Sequence, residues 1–119
     1  MPQNKGEVFY APLDVYLNNK NVYQPDILFI SEERKHIIDR KGIIGAPDLV
    51  IEILSEENAS YDKGAKKDVY EHAGVKEYRM IHPKSKRCEG FVLKEGKFEP
   101  IEPTKGCFHI QLIDLLFKF

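Results

Sequence analysis

The feature that most constrains the fold is an apolar run, PDLVIEIL, at residues 47–54. A continuous apolar run of this length is typical of a strand that is covered on both faces of a sheet. Glu52 interrupts the run, and the alternation of side chains along a strand places it on the same face as Val50 and Leu54. A glutamate inside a covered strand is costly unless it is paired or bound to a cation. The run therefore predicts either a functional carboxylate or an edge strand whose Glu52 faces solvent.

The length and charge of the chain limit what it can do. Its 119 residues allow a single domain over residues 1–119. With 18 basic and 19 acidic residues the formal net charge is −1, which excludes a nucleic-acid steering field over the whole molecule but allows a local basic patch. No apolar run reaches the length of a membrane span, and the amino terminus has no signal-peptide core. The two cysteines form no metal or disulfide pattern, so a cytoplasmic protein with reduced thiols is expected.

The hydrophobic pattern predicts an α/β or α+β domain with a mixed sheet and one helix. The helix is expected over 60–73, with Asn58 or Ser60 as its cap, Gly74 as its end and a packed stripe of Ala65, Val69 and Ala73. The final segment, 107–119, is expected to begin as a strand and end as a helical turn. The other segments are predicted strands: 8–17, 22–30, 47–54, 76–83, 88–93 and 97–101.

A second carboxylate, Asp26, stands at the start of a predicted strand, directly after a proline. Taken alone, a Pro-Asp pair is a common strand opener. Neighbouring strands lie about 4.8 Å apart, so Asp26 and Glu52 on adjacent strands would make a site of hard oxygen ligands suited to Mg²⁺ or Mn²⁺. The four histidines show no ligand spacing, which disfavours zinc.

The predicted helix supplies a candidate cation. Asp62, Lys66 and Tyr70 are spaced at i, i+4 and i+8 and therefore share one helix face. An ordinary surface ion pair between Asp62 and Lys66 explains the first two residues. A lysine beside two carboxylates and a metal would instead stabilise a phosphoryl transition state. Residues 60–87 hold eight basic and four acidic side chains, 8 − 4 = +4, which indicates either a solvated surface or a phosphate-binding one.

Two segments carry a family resemblance: QPDILFI, and GAPDLVIEILSEENASYDKGAKKDVYEHAGVKEYRMIHP. They resemble the Uma-two family of restriction-endonuclease-like proteins, in the PD-(D/E)xK nuclease superfamily. The similarity extends from about residue 8 to the carboxyl end and is densest over 45–83. It implies a restriction-endonuclease-like mixed sheet with flanking helices and acidic residues at the open end of the sheet.

The resemblance also implies roles for particular residues. Asp26 matches the aspartate of the PD motif, and Glu52 matches the acidic residue of the second half-motif. Leu54 stands where the superfamily expects a lysine. The family is thought to move that lysine onto the following helix, which points to Lys66, with Lys67 as the second choice.

The function implied by the resemblance is a metal-dependent endonuclease that hydrolyses DNA phosphodiester bonds. Asp26 and Glu52 would hold Mg²⁺ or Mn²⁺ with the main-chain carbonyl of Ile53, and Lys66 would orient water or neutralise developing charge. Two alternatives stay open. One is a non-catalytic nucleic-acid-binding or interaction module that keeps the nuclease fold, and the other is a structural fragment without activity.

The chain departs from the family pattern in two respects, and the first of them leads to a prediction about assembly. The family carries helices before its first strand that this chain lacks, so a domain truncated at its amino terminus is expected. Arg79 occupies a position where many relatives have an aromatic residue. Both faces of the sheet around 47–54 need cover, and only one helix is predicted, so a homodimer is expected. Its interface is expected to include the first strand or the sheet face that the missing helices would have covered.

Overall fold

The structure is a computed structural model that describes residues 6–18, 20–55 and 64–118. The described chain is mostly strands, with one α-helix and one short 3₁₀ helix at Glu32–Ile37. In chain order the elements are β1 (Gly6–Tyr10), β2 (Val15–Tyr16), β3 (Val22–Tyr23), β4 (Ile27–Ser31), β5 (Ile38–Asp39), β6 (Gly42–Ile44), β7 (Leu49–Ile53), α1 (Ala65–Ala73), β8 (Glu77–Ile81), β9 (Arg87–Lys94), β10 (Lys97–Lys105), β11 (Cys107–Ile110) and β12 (Leu115–Lys118).

Six strands form the main sheet in the order β1-β4-β7-β8-β9-β10. All neighbours in this sheet are antiparallel except β7 and β8, which are parallel. Parallel strands cannot be joined by a hairpin, and the connection from β7 to β8 contains helix α1. A small sheet of order β3-β2-β6-β5 and a hairpin of β11 and β12 complete the described fold. The predicted mixed sheet with a flanking helix is confirmed.

Strand β7 lies in the middle of the main sheet and is buried on both faces. Val50 and Leu54 belong to a cluster on the helix side that includes Tyr70 of α1. Leu49 and Ile51 pack on the opposite face against the β11–β12 hairpin. The expectation that both faces are covered is therefore confirmed, and a carboxyl-terminal hairpin supplies the second cover.

Prolines divide two of the predicted strands. The predicted strand 8–17 is β1 and β2, separated by a segment that contains Pro12, and the predicted strand 22–30 is β3 and β4, separated around Pro25. Proline lacks the amide hydrogen that a sheet ladder uses, so pairing stops near it. The polar stretch after β4, where no element was expected, contains the 3₁₀ helix and the short strands β5 and β6.

Helix α1 ends where the sequence predicts, but its buried face is different. Gly74 is in the left-handed conformation with φ of 93°, and its amide donates to the carbonyls of Tyr70 and Glu71, as glycine at a helix end commonly does. Asn58 and Ser60 lie outside the described residues. The predicted packed stripe is confirmed only in part, because Ala73 packs against the helix-side cluster but Ala65 is exposed, and the buried residue of the helix is Tyr70. The large ring fills space that alanine could not reach.

The prediction of a helical turn at the carboxyl end is also wrong, since Leu115–Lys118 pairs with Cys107–Ile110 as a hairpin. The packing of Phe108, Ile110 and Ile113 against the main sheet explains the outcome. Burial of apolar side chains of this size stabilises by about 1.5–3 kcal/mol each, which outweighs a weak local helical preference.

A buried ion pair ties this hairpin to the sheet and explains Arg79. Its Nε donates to Glu77 Oε2 at 2.7 Å, and a second guanidinium nitrogen donates to the carbonyl of His109. Glu77 in turn accepts the amides of Gln111 at 3.2 Å and Leu112 at 2.8 Å. The Arg79 and Glu77 side chains are only 4% and 1% exposed. Arg79 therefore acts as a structural link between β8 and the hairpin.

No helix in the described ranges is long and apolar enough to cross a membrane.

Candidate active site

Asp26 lies immediately before β4, beside the carboxyl end of the neighbouring strand β7. The β4–β7 register pairs Ile27 with Ile51, and one further step places Asp26 opposite Glu52. Asp26 Oδ2 accepts the amide of Ile53 at 2.7 Å, and its carbonyl accepts the amide of Ala11 at 3.0 Å. The two predicted carboxylates therefore lie on adjacent strands, at the end of the sheet where β7 finishes. The Asp26 side chain is hydrogen-bonded to the residue after Glu52.

Glu52 is a buried carboxylate rather than a solvent-facing one. It is 3% exposed, so the alternative of an edge strand with Glu52 in solvent is wrong. Its Oε2 accepts from Lys66 Nζ at 3.1 Å and from the Tyr70 hydroxyl at 3.0 Å. Lys66 and Tyr70 lie on the helix face predicted from their spacing, and Asp62, the third residue of that face, lies outside the described residues. The structure thus brings Asp26, Glu52 and Lys66 to one place.

The environment of Tyr70 keeps its hydroxyl protonated. Burial, followed by the negative charge of Glu52 and the hydrogen bond to it, raises the pKa of Tyr70 far above its usual value of 10. A tyrosine in this state donates a hydrogen bond and carries no charge. Tyr70 therefore orients the Glu52 carboxylate, and Lys66 supplies the positive charge.

Sequence reasoning missed Tyr23, which borders the same site. The ring of Tyr23 lies edge-on to Tyr70, with centroids 5.6 Å apart, and Lys66 Nζ lies 5.2 Å from its centroid. An aromatic face attracts an ammonium group at such a distance. The available signal was position, because Tyr23 precedes the Gln-Pro-Asp segment that contains Asp26. In the sequence it is indistinguishable from any other strand residue, so its position at the site could not be predicted.

Lys67, the second choice for the catalytic lysine, is directed elsewhere. Its Nζ lies 4.6 Å from the ring centroid of Phe91 in β9, and that ring stacks on Phe98 of β10. Lys67 thus covers an aromatic pair on the neighbouring strands. The geometry favours Lys66 as the lysine that acts with Glu52.

Another buried acid, Asp48, lies at the opposite end of β7 and takes no part in this site. Its Oδ2 accepts the amide of Ser31 at 2.7 Å. Lys76 Nζ lies 3.1 Å from Oδ1, and Arg34 Nη1 lies 3.7 Å from Oδ2. Asp48 is therefore a structural anchor at the start of the strand.

The donor chemistry of the site fits a hard divalent cation. In the described part of the chain no three His, Cys, Asp or Glu side chains converge as a metal cage. Mg²⁺ does not need such a cage, because it keeps several waters and commonly binds through one or two carboxylates and the substrate phosphate. Asp26, Glu52 and Lys66 together carry a formal charge of −1, which leaves the pair of carboxylates attractive to a cation.

The comparison with known families decides the membership. The family model Uma2, described as "Putative restriction endonuclease", matches residues 1–110. The chain belongs to the Uma2 family. The resemblance seen in the QPDILFI and PDLVIEIL segments is thereby confirmed.

A solved structure supports the fold of this Uma2 chain. It is the crystal structure of a putative nuclease belonging to DUF820 from Anabaena variabilis ATCC 29413, with a TM-score of 0.63 and 20% sequence identity. The match covers 83% of this chain and 56% of that one, so this chain spans just over half the length of the solved protein. No curated protein matches the Uma2 chain.

Proposed function

We propose that this Uma2 chain is a metal-dependent endonuclease of the cytoplasm that hydrolyses phosphodiester bonds in DNA. The observation that carries the proposal is the buried Glu52 carboxylate, whose Oε2 is shared by Lys66 and Tyr70 beside Asp26. An acid inside a strand is costly to the stability of the fold, and a lysine that contacts it is an arrangement typical of a functional site. The pair fits phosphoryl chemistry. Membership in a family described as restriction endonucleases points to the same chemistry and to DNA as the substrate.

Asp26 and Glu52, with the main-chain carbonyl of Ile53, would hold Mg²⁺ or Mn²⁺. When bound, the cation would offset phosphate charge and lower the pKa of a coordinated water. The protein's own part is to fix the ligands. Asp26 is held by the amide of Ile53, and Glu52 is held by the hydroxyl of Tyr70.

Lys66 would act on the phosphate. Its side chain is 16% exposed, so the ammonium group can be reached from solvent while it stays close to Glu52. The face of Tyr23 holds the ammonium from one side. A preorganised cation of this kind stabilises negative charge that grows on the phosphoryl oxygens in the transition state.

Cleavage of defined DNA tests the proposal. Supercoiled plasmid, a 20-base-pair duplex and a 20-nucleotide single strand are incubated with the purified chain and Mg²⁺ or Mn²⁺. We expect cleavage that stops with EDTA and that Glu52→Gln abolishes. DNA binding without cleavage in either metal, by a folded protein, would contradict the enzyme and support the alternative of a non-catalytic binding module.

The homodimer stays a prediction. Since the β11–β12 hairpin covers the sheet face, the first strand, β1, is the expected interface that is left to test. The main sheet and the β11–β12 hairpin enclose an apolar cavity of about 370 Å³ lined by β1, β4, β7 and the hairpin. Tyr10, at the end of β1, lines this cavity and is 67% exposed. A two-fold dimer through β1 would cover this region.

Light scattering at micromolar concentration tests the assembly. We expect twice the mass of 13.8 kDa, and Tyr10→Lys should return the protein to its monomer mass while the fold is kept. A wild-type monomer that binds no hydrophobic dye would contradict the dimer, and the carboxyl-terminal hairpin would then be cover enough.

A further inference from the structure

Two cations lie opposite each other on strands β9 and β10, at the same end of the main sheet as the two carboxylates. Arg87 and Lys105 are direct partners in the antiparallel register of β9 and β10. Directly opposed residues in such a pair point to the same face of the sheet. Both side chains border one surface concavity of about 450 Å³, which Ser85, Pro103 and Thr104 also line.

The register places these cations on the face that carries Glu52. Glu52 of β7 is the direct partner of Met80 in β8, and Met80 is the direct partner of Glu89 in β9. The three side chains form one row across the sheet. Arg87 is two residues from Glu89 and so projects to the same face, with its Nε 3.9 Å from Glu89 Oε2.

The separation suits a polynucleotide strand. Adjacent strands lie about 4.8 Å apart, so β9 and β10 are about 10 Å and about 14 Å from β7 across the sheet. Arg87 is also two residues, about 7 Å, farther along the strand than the Glu52 row. The direct distance is then about 12–16 Å, which is about four nucleotides at the 3.4 Å rise of a B-form strand.

The turn that presents Arg87 is fastened in place. The amide of His82 donates to the carbonyl of Arg87 at 2.9 Å, and the amide of Lys86 donates to the carbonyl of His82 at 2.7 Å. The amide of Gly106 donates to the carbonyl of Lys86 at 2.8 Å, which joins the turn to the end of β10. These bonds fix the backbone that carries the cations before any ligand arrives, so binding loses less backbone entropy.

The charges around this pair favour an anion. Arg87 is 55% exposed, and the exposed Lys86 lies beside it in the turn. Glu89, the acid that contacts Arg87, has a closer partner in His82, whose Nε2 lies 2.5 Å from Glu89 Oε2. Its weak contact with Arg87 leaves the guanidinium accessible to a phosphate, which it binds well through its planar fork.

We infer that Arg87 and Lys105 bind backbone phosphates of the DNA strand whose bond is cut at Asp26 and Glu52, about four nucleotides from that bond. The inference rests on the proposed function and adds the direction in which the strand leaves the site, across β8 and β9 toward β10. It also gives a role to the basic turn at residues 84–87, which the carboxylate site does not use.

The same two strands provide a matched control for the test. Lys94 and Lys97 are also direct partners in the β9–β10 register, but at the opposite end of the hairpin. The experiment compares Arg87→Ala/Lys105→Ala with Lys94→Ala/Lys97→Ala. Both double variants remove two positive charges, and thermal melting checks that both stay folded. Binding to a 20-base-pair duplex and to a 20-nucleotide strand is measured by fluorescence anisotropy in Ca²⁺ over 50–200 mM salt.

For Arg87→Ala/Lys105→Ala we expect a loss of affinity on the order of tenfold or more at 0.1 M salt. The slope of log Kd against log salt should fall by about 1.8 for duplex and about 1.4 for single-stranded DNA, since each phosphate contact contributes about 0.9 and about 0.7. The Lys94→Ala/Lys97→Ala variant should bind like the wild type. Hydrolysis of bis(p-nitrophenyl) phosphate, which cannot reach the distant pair, should be equal in all three proteins.

Equal affinities and slopes in the two double variants, with DNA still bound and cut by the wild type, would overturn the inference and leave the proposed function intact. Failure of the wild type to bind either DNA at 50 mM salt would overturn both. An affinity loss that is larger in the Lys94→Ala/Lys97→Ala variant would place the strand at the other end of the hairpin and so contradict the inference.

Discussion

Replacement of Lys66 by alanine is expected to lower DNA cleavage about 10²–10³-fold, the effect of removing one preorganised group that stabilises transition-state charge. The reason is position, since Lys66 Nζ lies 3.1 Å from Glu52 Oε2 and against the ring of Tyr23. The loss should appear in kcat more than in KM, because developing charge exists only in the transition state. Single-turnover cleavage of a labelled duplex measures it, and Mn²⁺ affinity should be largely kept.

The neighbouring lysine is the control. Lys67→Ala removes the same charge one residue away, but Lys67 covers Phe91 and does not approach Glu52 among its described contacts. We expect cleavage within a few-fold of the wild type and a small loss of stability from the lost aromatic contact. A larger loss of cleavage in Lys67→Ala than in Lys66→Ala would contradict the assignment of the catalytic lysine.

Arg79→Ala is expected to lower the free energy of unfolding by about 3–5 kcal/mol, because it leaves the buried Glu77 carboxylate without its cation. Glu77 and Arg79 hold the carboxyl-terminal hairpin through the amides of Gln111 and Leu112 and the carbonyl of His109. Urea unfolding measures the change. The hairpin should also become accessible to limited proteolysis before the main sheet unfolds.

Two further variants serve as comparisons for the Glu77–Arg79 pair, one at an exposed arginine and one at the glycine opposite Arg79. Arg87→Ala removes an exposed arginine with a 3.9 Å contact, and we expect a change below about 1 kcal/mol. Gly90 is the register partner of Arg79, and a Cβ at that position would lie 2.6 Å from Arg79 Cδ, so Gly90→Ala should also destabilise. Equal stability of Arg79→Ala and Arg87→Ala would show that the buried pair does not support the hairpin.

The core of the site could be predicted from sequence because its residues obey local rules. Glu52 stands out since it interrupts an apolar run, and the helical spacing of Lys66 and Tyr70 places both on one face. Their convergence on one carboxylate oxygen agrees with that spacing. The residues raised the pairing of Asp26 with Glu52 only as a possibility, which the family resemblance then selected, because no local rule shows which strands are neighbours.

The remaining features depend on contacts between distant parts of the chain. The sequence pattern did not predict the β11–β12 hairpin, because it is stabilised by packing of Phe108 and Ile110 on the main sheet. Tyr23 reaches Lys66 through the fold of the small sheet. The role of Arg79 depends on the hairpin, because its guanidinium donates to the carbonyl of His109 and its partner Glu77 accepts the amides of Gln111 and Leu112. Tertiary packing decided each of these outcomes over local propensity.

Calorimetric titration with Mn²⁺ tests the central claim, that Asp26 and Glu52 form a divalent metal site, most directly. We expect one Mn²⁺ site in the wild type, its loss in Glu52→Gln and Asp26→Asn, and its retention in Asp48→Asn, where the buried acid lies at the other end of β7. Thermal melting of each variant separates lost binding from lost folding. Equal Mn²⁺ binding by the wild type and a folded Glu52→Gln would contradict a metal site at Asp26 and Glu52.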